Sequence, residues 1–575
     1  MVHADFTRIE KDGFKGKLQV VSEVNSTTAN RHLQIANLLA HSSGQLLLVC
    51  RWDHQAASEG RRIRWKHGED LGNSAEGDCT NEQVLFFSQD GGESWTIAND
   101  GRSILTLEMG TSFDLPSSVT HSFLDENRAG VTRLYYTIDQ PMTCGMEHPW
   151  RATGCGEIRR MEISWDGQTW RPYGESEIVM PIFTPMPTPD GLSHTIRTAC
   201  LNPIVRLADG AALMPISGRD SLPEPMGCYW KENRCWALRS EDDGETWTPH
   251  FIGGSNEICL CECTLAQLSD GSVLALMRSG YGTGKSLYAS RSMDGGHTFT
   301  PPAATGLPNT SSGVKPFLLR LQSGNYLLLQ TDEHETTHRL NMTAFVTDEA
   351  GLLRYHWKYK RVLCCDCREK WQGSAYATAL QTKDGQIHIA FAGFTKDENR
   401  MYHLSVDEKW LCSASYEPAG GMLLGDDAVP VCSEKGMHFT NTRSRAQAGR
   451  FGALAGERVV RMKASVLRYP LEKPFALAAL YSVGGSQREM AVEIRPDGVW
   501  LDSCEGARKL CERVQEVELG IRVCESNRYT VSINGCAAQC MGRFFGDPDT
   551  LMTLGAYEEG EPIDVWVTEF AYGEA

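Results

Sequence analysis

A phenol, a carboxylate and three cationic side chains stand at fixed distances from turn glycines in this chain. Glu262, Lys315 and Tyr376 each lie nine residues before such a glycine, and Arg51 and Arg278 each lie seven residues after one. Side chains of these types transfer protons and bind anions, and they are costly to gather for structural reasons alone. If the repeated elements bring these positions together, the spacing predicts a reactive, anion-binding site.

The elements that must position them are β-hairpins. Each glycine ends a short polar turn that has an apolar run on either side. Residues 46–49, after Gly44, and residues 326–329, after Gly324, are two such runs. The turn glycines are Gly44, Gly210, Gly271, Gly324 and Gly385, and successive ones are 166, 61, 53 and 61 residues apart. The first gap is about two periods long, and the apolar segments at 121–127 and 134–138 fill it. The pattern therefore predicts six units.

A second repeat follows the hairpins. Its pattern is Ser-x-Asp-x-Gly-x-Ser/Thr-aromatic, at Ser88 to Trp95, Ser240 to Trp247 and Ser292 to Phe299, with a copy one residue shorter at Ser164 to Trp170. The Ser and Asp side chains of such a segment bond to nearby backbone N–H groups, and the glycine adopts positive φ. Four copies predict four tight hairpin turns.

Six consecutive four-stranded units with almost no amphipathic helix between them favour an all-β fold, a closed six-bladed β-propeller over residues 1–425. Closure removes the exposed edges of the sheets. Beyond about residue 426 the repeats stop, but short strand-like runs with Gly and Asn turns continue. These runs predict a C-terminal β-sandwich over residues 426–575, which is either a glycan-binding or a structural domain.

Equivalent positions of a propeller lie at the same radius and height, so the repeat predicts which side chains face one another. In an antiparallel hairpin, the position nine before the glycine and the position seven after it lie close together at the open end. The first set is Ile35, Leu201, Glu262, Lys315 and Tyr376, and the second is Arg51, Ser217, Arg278, Thr331 and Ala392. We therefore expect Glu262 and Arg278 to be neighbours, with Tyr376, Lys315 and Arg51 around the same mouth.

The composition excludes some partners. The chain has 73 acidic and 56 basic side chains and a formal net charge of −17, whereas nucleic acids and anionic membranes require a basic face. Without an apolar leader or a run of about 18 apolar residues, the chain is expected to be soluble and cytoplasmic. Its 20 cysteines are then expected to be reduced thiols. No metal or other cofactor is predicted.

Three segments resemble the sialidases (neuraminidases) in the order of their motifs. Glu262 to Gly271, running on to Arg278, is similar to the stretch that carries the sialidase glutamate and the second arginine of its carboxylate-binding triad. Arg339 to Thr343 resembles the segment with the third arginine, and Ser374 to Leu380 resembles the segment with the nucleophilic tyrosine. The resemblance covers about 400 residues of the chain.

The resemblance implies a role for each residue. A sialic acid has a carboxylate on its anomeric carbon, which would repel an Asp or Glu nucleophile but not the neutral hydroxyl of Tyr376. Because tyrosine is a weak nucleophile at its ordinary pKa of about 10, Glu262 is expected to accept its proton. Arg278 and Arg339 would bind the substrate carboxylate through paired hydrogen bonds.

The chain also departs from the sialidase pattern. The acid for the leaving oxygen is expected in the segment 52–81, with Glu59 closest to the expected spacing and Asp53, Glu76 and Asp78 as rivals. Where the first triad arginine is expected, this chain has Gln34, so either Arg31 or Arg51 substitutes or the site has two arginines. A further arginine of the sialidases, just past the first hairpin, aligns with Asp53 of this chain. The substrate-binding set is thus Arg278, Arg339, Arg51, Lys315, Gln34 and Asp53.

These expectations give one principal interpretation and two alternatives. The first is a retaining exo-α-sialidase or close relative that acts on glycans with terminal sialic acid or another 2-keto acid sugar. The second is a glycosidase or lyase for another acidic or deoxy sugar on the same scaffold. The third is a propeller that binds glycans without catalysis.

Overall fold

The computed structural model confirms an all-β chain. Strands dominate, and the helices of the described residues are three short segments, Ala98–Gly101, Glu349–Leu353 and Glu408–Leu411. None of the helices in this part of the chain has the length and apolar character of a membrane-crossing segment. The structure describes residues 2–3, 19–25, 32–54, 80–106, 121–142, 153–181, 184–189, 193–195, 200–219, 233–255, 257–279, 286–309, 315–331, 342–355, 357–364, 373–394, 398–412, 431–433, 435–442, 445–451, 458–481, 488–524, 528–542, 550–555 and 561–574.

Between residues 19 and 412 the described strands form six antiparallel sheets of four or five strands, besides a two-stranded pair, Pro185–Pro187 with Ser193–Thr195. Sheet 1 is His32–Ala40, Leu46–His54, Thr80–Ser88 and Thr96–Ile97, with Leu105–Thr106 on its third strand. Sheet 2 is Ser122–Glu126, Thr132–Met142, Thr153–Trp165 and Trp170–Met180. Sheet 3 is Cys200–Leu201 and Val205–Arg206, both on Ala212–Arg219, then Asn233–Ser240 and Thr248–Gly253.

The remaining three sheets of this part repeat the pattern. Sheet 4 is Leu260–Gln267, Val273–Ser279, Ser286–Ser292 and Ala303–Pro308, and sheet 5 is Phe317–Arg320, Tyr326–Thr331, Met342–Thr347 and Tyr359–Cys364. Sheet 6 is Gly373–Gln381, Ile387–Phe394 and Glu398–Val406, and its fourth strand is Gln19–Asn25 from the start of the chain. Sheet 6 is therefore completed by a strand that precedes sheet 1 in sequence.

The first hairpin of every one of these sheets closes with the same bond. The turn glycine has positive φ and donates its N–H to the carbonyl three residues earlier, at 2.9 to 3.1 Å. The turns predicted from sequence all show this geometry, and the hairpin of sheet 2 shows it as well, at Gly130. The six glycines are Gly44, Gly130, Gly210, Gly271, Gly324 and Gly385.

The Ser-x-Asp-x-Gly segments form the predicted turns between the third and fourth strands. In the copy at 292–299, Asp294 accepts the backbone N–H of Thr298 at 2.9 Å and its hydroxyl at 2.6 Å, while Ser292 accepts the N–H of Gly296 at 2.7 Å. Sheets 5 and 6 carry a short helix at the same place instead. There Asp348 and Asp407 cap the helix by accepting the N–H groups of Gly351 and Trp410.

Replacing Asp294 by alanine is expected to lower the free energy of unfolding by about 1–2 kcal/mol, because three donors of the turn, the Thr298 N–H and the hydroxyls of Thr298 and Ser292, lose their acceptor. The hydrogen bonds from Thr298 and Ser292 also hold the pKa of Asp294 at about 2 against the effect of burial. Urea denaturation measures the change. Met293→Ala is the matched control, since this side chain is exposed in the same turn. Equal stability of the two variants would contradict the prediction.

Hydrophobic clusters join the six sheets in a closed cycle. Separate clusters lie between sheets 1 and 2, 2 and 3, 3 and 4, 4 and 5, and 5 and 6. A further cluster contains Leu48 and Cys50 of sheet 1 together with Ala390 and Met401 of sheet 6. Each sheet therefore packs on the next one, and the last packs on the first.

Two buried histidines lie where sheet 6 meets sheet 1. His388 Nδ1 and His403 Nε2 are 3.2 Å apart, and the His403 ring also packs edge-on against Trp95. A Cβ atom at Gly92 would collide with the His403 ring, so that position requires glycine. Burial, together with the neighbouring His388, lowers the pKa of His403 to about 3.

We expect this junction to weaken in acid. The folded chain keeps His403 neutral while the unfolded chain takes up a proton below about pH 6.5, so stability is full above that pH and is lost as the pH falls toward 3. At pH 5 the loss is about 2 kcal/mol. Urea denaturation at pH 7 and pH 5 should show a smaller fall for His403→Gln than for the unchanged chain. An identical fall in both proteins would refute this assignment.

The strands beyond residue 430 form two larger sheets around one apolar cluster. Sheet 7 has the order Val431–Ser433, Gly436–Asn441, Pro562–Glu574, Arg458–Arg468, Glu516–Cys524, Arg528–Ile533 and Cys536–Met541, with Val2–His3 also on Pro562–Glu574. Sheet 8 has the order Arg445–Phe451, Thr550–Gly555, Phe475–Tyr481, Arg488–Arg495, Gly498–Ser503 and Gly506–Glu512. The cluster combines residues of both sheets, such as Met462 and Ile521 with Leu480 and Val492. The division into domains at residues 425 and 426 stays a prediction.

Candidate functional site

Three of the positions nine residues before a turn glycine share an unusual backbone. Ile35, Glu262 and Tyr376 have φ of 57°, 45° and 55°, and the strand register shifts at each of them. Positive φ is uncommon for residues other than glycine and is retained where the surroundings enforce it. These β-bulges turn the side chain out of the normal alternation of the strand. The sequence predicted that the positions are equivalent, but it did not predict the bulges.

The side chains of Tyr376, Glu262 and Arg278 are in contact, although the tyrosine and glutamate are 114 residues apart in sequence. The Tyr376 hydroxyl donates to Glu262 Oε1 at 3.2 Å, and Arg278 Nη1 donates to Glu262 Oε2 at 2.5 Å. Tyr376 and Glu262 are 4% and 5% exposed, so this network is almost fully removed from solvent. The expected proximity of all three groups is observed.

Neighbouring groups hold the network in place. The Glu262 backbone N–H donates to Ser217 Oγ at 2.8 Å, and Ser217 belongs to the set of positions seven residues after a turn glycine. The ring of Tyr376 packs against Ile35. Glu262 of sheet 4 is therefore held by a residue of sheet 3, and Tyr376 of sheet 6 is held by a residue of sheet 1.

The site is rich in positive charge. Burial alone would lower the pKa of Arg278, but the Glu262 carboxylate, with Cys261 and Tyr376, raises that pKa well above its usual value, so the guanidinium stays charged. Arg51 and Lys315 are 4% and 1% exposed. Together with Arg278 they give three cations against the single carboxylate of Glu262 among the described residues of this cluster. Such a cluster can bind an anion.

His121 belongs to this cluster, and the sequence analysis missed it. It lies nine residues before Gly130, the turn glycine of sheet 2, and its side chain is 6% exposed. Burial lowers its pKa to about 3, Glu262 opposes that effect, and Lys315, Arg51 and Arg278 add to it. The imidazole is therefore neutral near pH 7. Counting nine residues back from Gly130 would have found it.

The remaining predicted residues lie wholly or partly outside the described part of the chain. Arg339, Glu59, Glu76, Asp78 and Arg31 are outside it. The backbone of Gln34 pairs with Arg51 and that of Asp53 with His32, but their side chains are outside the described residues. In the described residues no group of three or more His, Cys, Asp or Glu side chains is arranged to hold a metal ion.

A family model described as "BNR repeat-like domain" matches residues 129–389. No curated protein matches the chain. Solved structures also match the chain, and three of them are described below. A Dyadobacter fermentans protein of unknown function is 18% identical and has a TM-score of 0.47, over 67% of this chain and 99% of its own.

The other two come from sialidases. The Trypanosoma rangeli sialidase in complex with sialic acid is 12% identical and has a TM-score of 0.46, over 94% of this chain and 91% of its own. The Ruminococcus gnavus intramolecular trans-sialidase in complex with oseltamivir carboxylate is 13% identical and has a TM-score of 0.45, over 69% and 98%. The BNR repeat-like match covers the part of the chain in which most of the hairpin and Ser-x-Asp-x-Gly repeats lie, and it agrees with the repeats that the sequence motifs indicated.

Proposed function

We propose that the chain is a retaining exo-glycosidase that releases terminal sialic acid or a related 2-keto acid sugar. The observation that carries this proposal is the buried contact of the Tyr376 hydroxyl with Glu262 Oε1, next to Arg278 on the other carboxylate oxygen. The fold that goes with it is a six-bladed β-propeller over residues 1–425 and a β-sandwich over residues 426–575. The closed cycle of hydrophobic clusters supports the first part of that fold, and the two sheets around one core support the second.

The chemistry follows from the direction of the hydrogen bond. Tyr376 attacks the anomeric carbon as its hydroxyl proton passes to Glu262, and the leaving oxygen takes a proton from an acid, for which we propose Glu59. Water then attacks the anomeric carbon and gives a proton to the deprotonated acid residue, while the bond from that carbon to the tyrosine oxygen breaks and Glu262 returns its proton to that oxygen. Two displacements at the same carbon retain its configuration.

The charges of the described cluster favour an acidic sugar. Arg51, Arg278 and Lys315 lie in one cluster with Glu262, and guanidinium and ammonium groups are the side chains that bind a carboxylate by charge-assisted hydrogen bonds. A neutral phenol is also the nucleophile that such a substrate repels least. Arg51 occupies in sheet 1 the place that Arg278 occupies in sheet 4, since each pairs with the residue before the bulge. We propose that Arg51 replaces the first arginine of the sialidase triad, with Arg339 as the third.

A fluorogenic α-sialoside tests the proposal. The unchanged chain should release the fluorophore, and ¹H NMR at early times should show the sugar product in its α form. Release with inversion would refute Tyr376 as a nucleophile. Turnover of a uronate- or rhamnose-bearing glycan instead of sialosides would replace the substrate class, and binding of glycans without turnover would make the chain a glycan-binding protein.

Lys315→Met is expected to raise KM for the sialoside by about 10-fold or more, because the variant loses one of the three cations around the proposed carboxylate position. Methionine retains most of the buried volume of the lysine side chain. Steady-state kinetics in low salt measures the effect. Lys463→Met, which removes a surface cation paired with Glu569 in sheet 7, is the control and should leave KM unchanged. Unchanged KM in Lys315→Met would place this residue outside the binding site.

A further inference from the structure

His121 is a buried polar side chain whose ring has no partner within the described structure. Its backbone forms two hydrogen bonds with Thr137. The Thr137 backbone N–H donates to the His121 carbonyl at 3.1 Å, and the His121 N–H donates to Thr137 Oγ1 at 3.4 Å. Its two ring nitrogens, in contrast, are buried and form no hydrogen bond with any described residue. Buried imidazole nitrogens without partners are unfavourable, and they need an explanation in a native structure.

The position of His121 in the repeat supplies that explanation. It occupies in sheet 2 the place that Glu262 occupies in sheet 4, Lys315 before sheet 5 and Tyr376 in sheet 6, nine residues before the turn glycine. The charged groups that shift its pKa are Glu262, Lys315, Arg51 and Arg278. These are the groups of the candidate site, so the ring lies on the side of the site that sheet 2 provides.

The charge state of the ring limits what it can bind. Because burial and the nearby cations keep His121 neutral, it adds no fourth positive charge for an anion. A neutral imidazole has one N–H donor and one nitrogen acceptor. A hydroxyl group or an amide of a sugar offers the complementary acceptor and donor, whereas a carboxylate offers only acceptors.

We propose that His121 is a substrate-binding residue that forms hydrogen bonds with an uncharged hydroxyl or acylamino group of the bound sugar. This inference rests on the proposed function, since the sugar is the ligand that would satisfy the ring. The residues of the site would then recognise two different features of the sugar. Arg51, Arg278 and Lys315 recognise the charge of the sugar, and His121 distinguishes among sugars of the same charge by their neutral substituents.

The test is the binding of N-acetylneuraminic acid and its single-deoxy and deacetylated analogues, measured by calorimetry at pH 7 on the full chain. His121→Phe retains a ring of similar size without the nitrogens. It should weaken binding of the parent sugar by about 10- to 100-fold. It should bind one analogue, the one that lacks the contacted group, as tightly as the unchanged chain does. His250→Phe, a replacement of a half-buried histidine in sheet 3 that bonds to the His297 carbonyl, is the control and should bind as the unchanged chain does.

The outcomes separate the two proposals. If the unchanged chain neither binds N-acetylneuraminic acid nor hydrolyses sialosides, the proposed function and this inference both fail. If it does both and His121→Phe binds every sugar as the unchanged chain does, only the inference is overturned. Should His121→Phe fail to fold, ¹⁵N NMR of the unchanged chain replaces it. The His121 ring nitrogens should shift when the sugar is added, and the absence of a shift in the bound state would overturn the inference.

Discussion

Tyr376→Phe is expected to lower kcat for a sialoside by roughly 100- to 10,000-fold, because the variant lacks the oxygen that forms the covalent bond to the sugar. Phenylalanine keeps the ring that packs on Ile35, so the site retains its shape. The hydrogen bond to Glu262 is lost, which lowers stability by only about 1 kcal/mol. A large loss of kcat with a small loss of stability is therefore the expected pattern.

A second tyrosine provides the matched control. Tyr326 in sheet 5 is also buried, and its hydroxyl donates to a glutamate, Glu349 Oε2, at 2.8 Å. Tyr326→Phe removes the same kind of hydrogen bond outside the site, so it should lower stability by a similar amount and leave kcat unchanged. Comparable kinetic defects in the two variants would mean that the effect of Tyr376→Phe is structural.

Covalent labelling tests the same role directly. A 2,3-difluoro sialic acid reacts at a sialidase nucleophile and leaves a slowly hydrolysed sugar, because the fluorine at C3 disfavours the cationic transition state. Mass spectrometry of the digested chain should find the added sugar on the peptide that contains Tyr376 and find no label in Tyr376→Phe. Label on a carboxylate would assign the nucleophile elsewhere.

The pairing of residues in the inner strands of the site was predictable because the hairpins have a constant length. A glycine at a turn fixes which residues lie opposite each other at the open end, and this is why the contact of Glu262 with Arg278 follows from the spacing alone. The contact of Glu262 with Tyr376 needs one more step, the closure of six sheets into a cycle. The repeat predicted that closure, and with it the contact between two residues that are 114 positions apart in sequence.

The same reasoning failed where the repeat signal was weak or absent. The turn of sheet 2 reads Asn127-Arg128-Ala129-Gly130 and lacks the Ser or Asp before the glycine that marks the other hairpins, so His121 was not counted with its equivalents. The bulges at Glu262 and Tyr376 were not predictable either, because strand alternation gives no sign of a residue with positive φ. Glu59 and Arg339 lie in segments between hairpins, where no repeat fixes the register.

Glu262→Gln is expected to reduce both activity and stability, for two separable reasons. The amide cannot accept the Tyr376 proton, so kcat should fall by roughly 100- to 10,000-fold. The amide also leaves the buried Arg278 guanidinium without its counter-charge, and removing one partner of a buried ion pair costs about 3–5 kcal/mol. Glu569→Gln, which breaks an exposed pair with Lys463, should cost less than about 1 kcal/mol and leave kcat unchanged.

A double variant separates the two effects of Glu262. Combining Glu262→Gln with Arg278→Met removes the uncompensated charge and replaces the guanidinium by an apolar group of similar length, so much of the lost stability should return. The activity should not return, because the proton acceptor for Tyr376 is still absent and a binding cation has been lost as well. Urea denaturation and steady-state kinetics on the four proteins of this cycle provide both measurements. If activity recovered together with stability, Glu262 would act by holding Arg278 in place, and the base for Tyr376 would have to be another group.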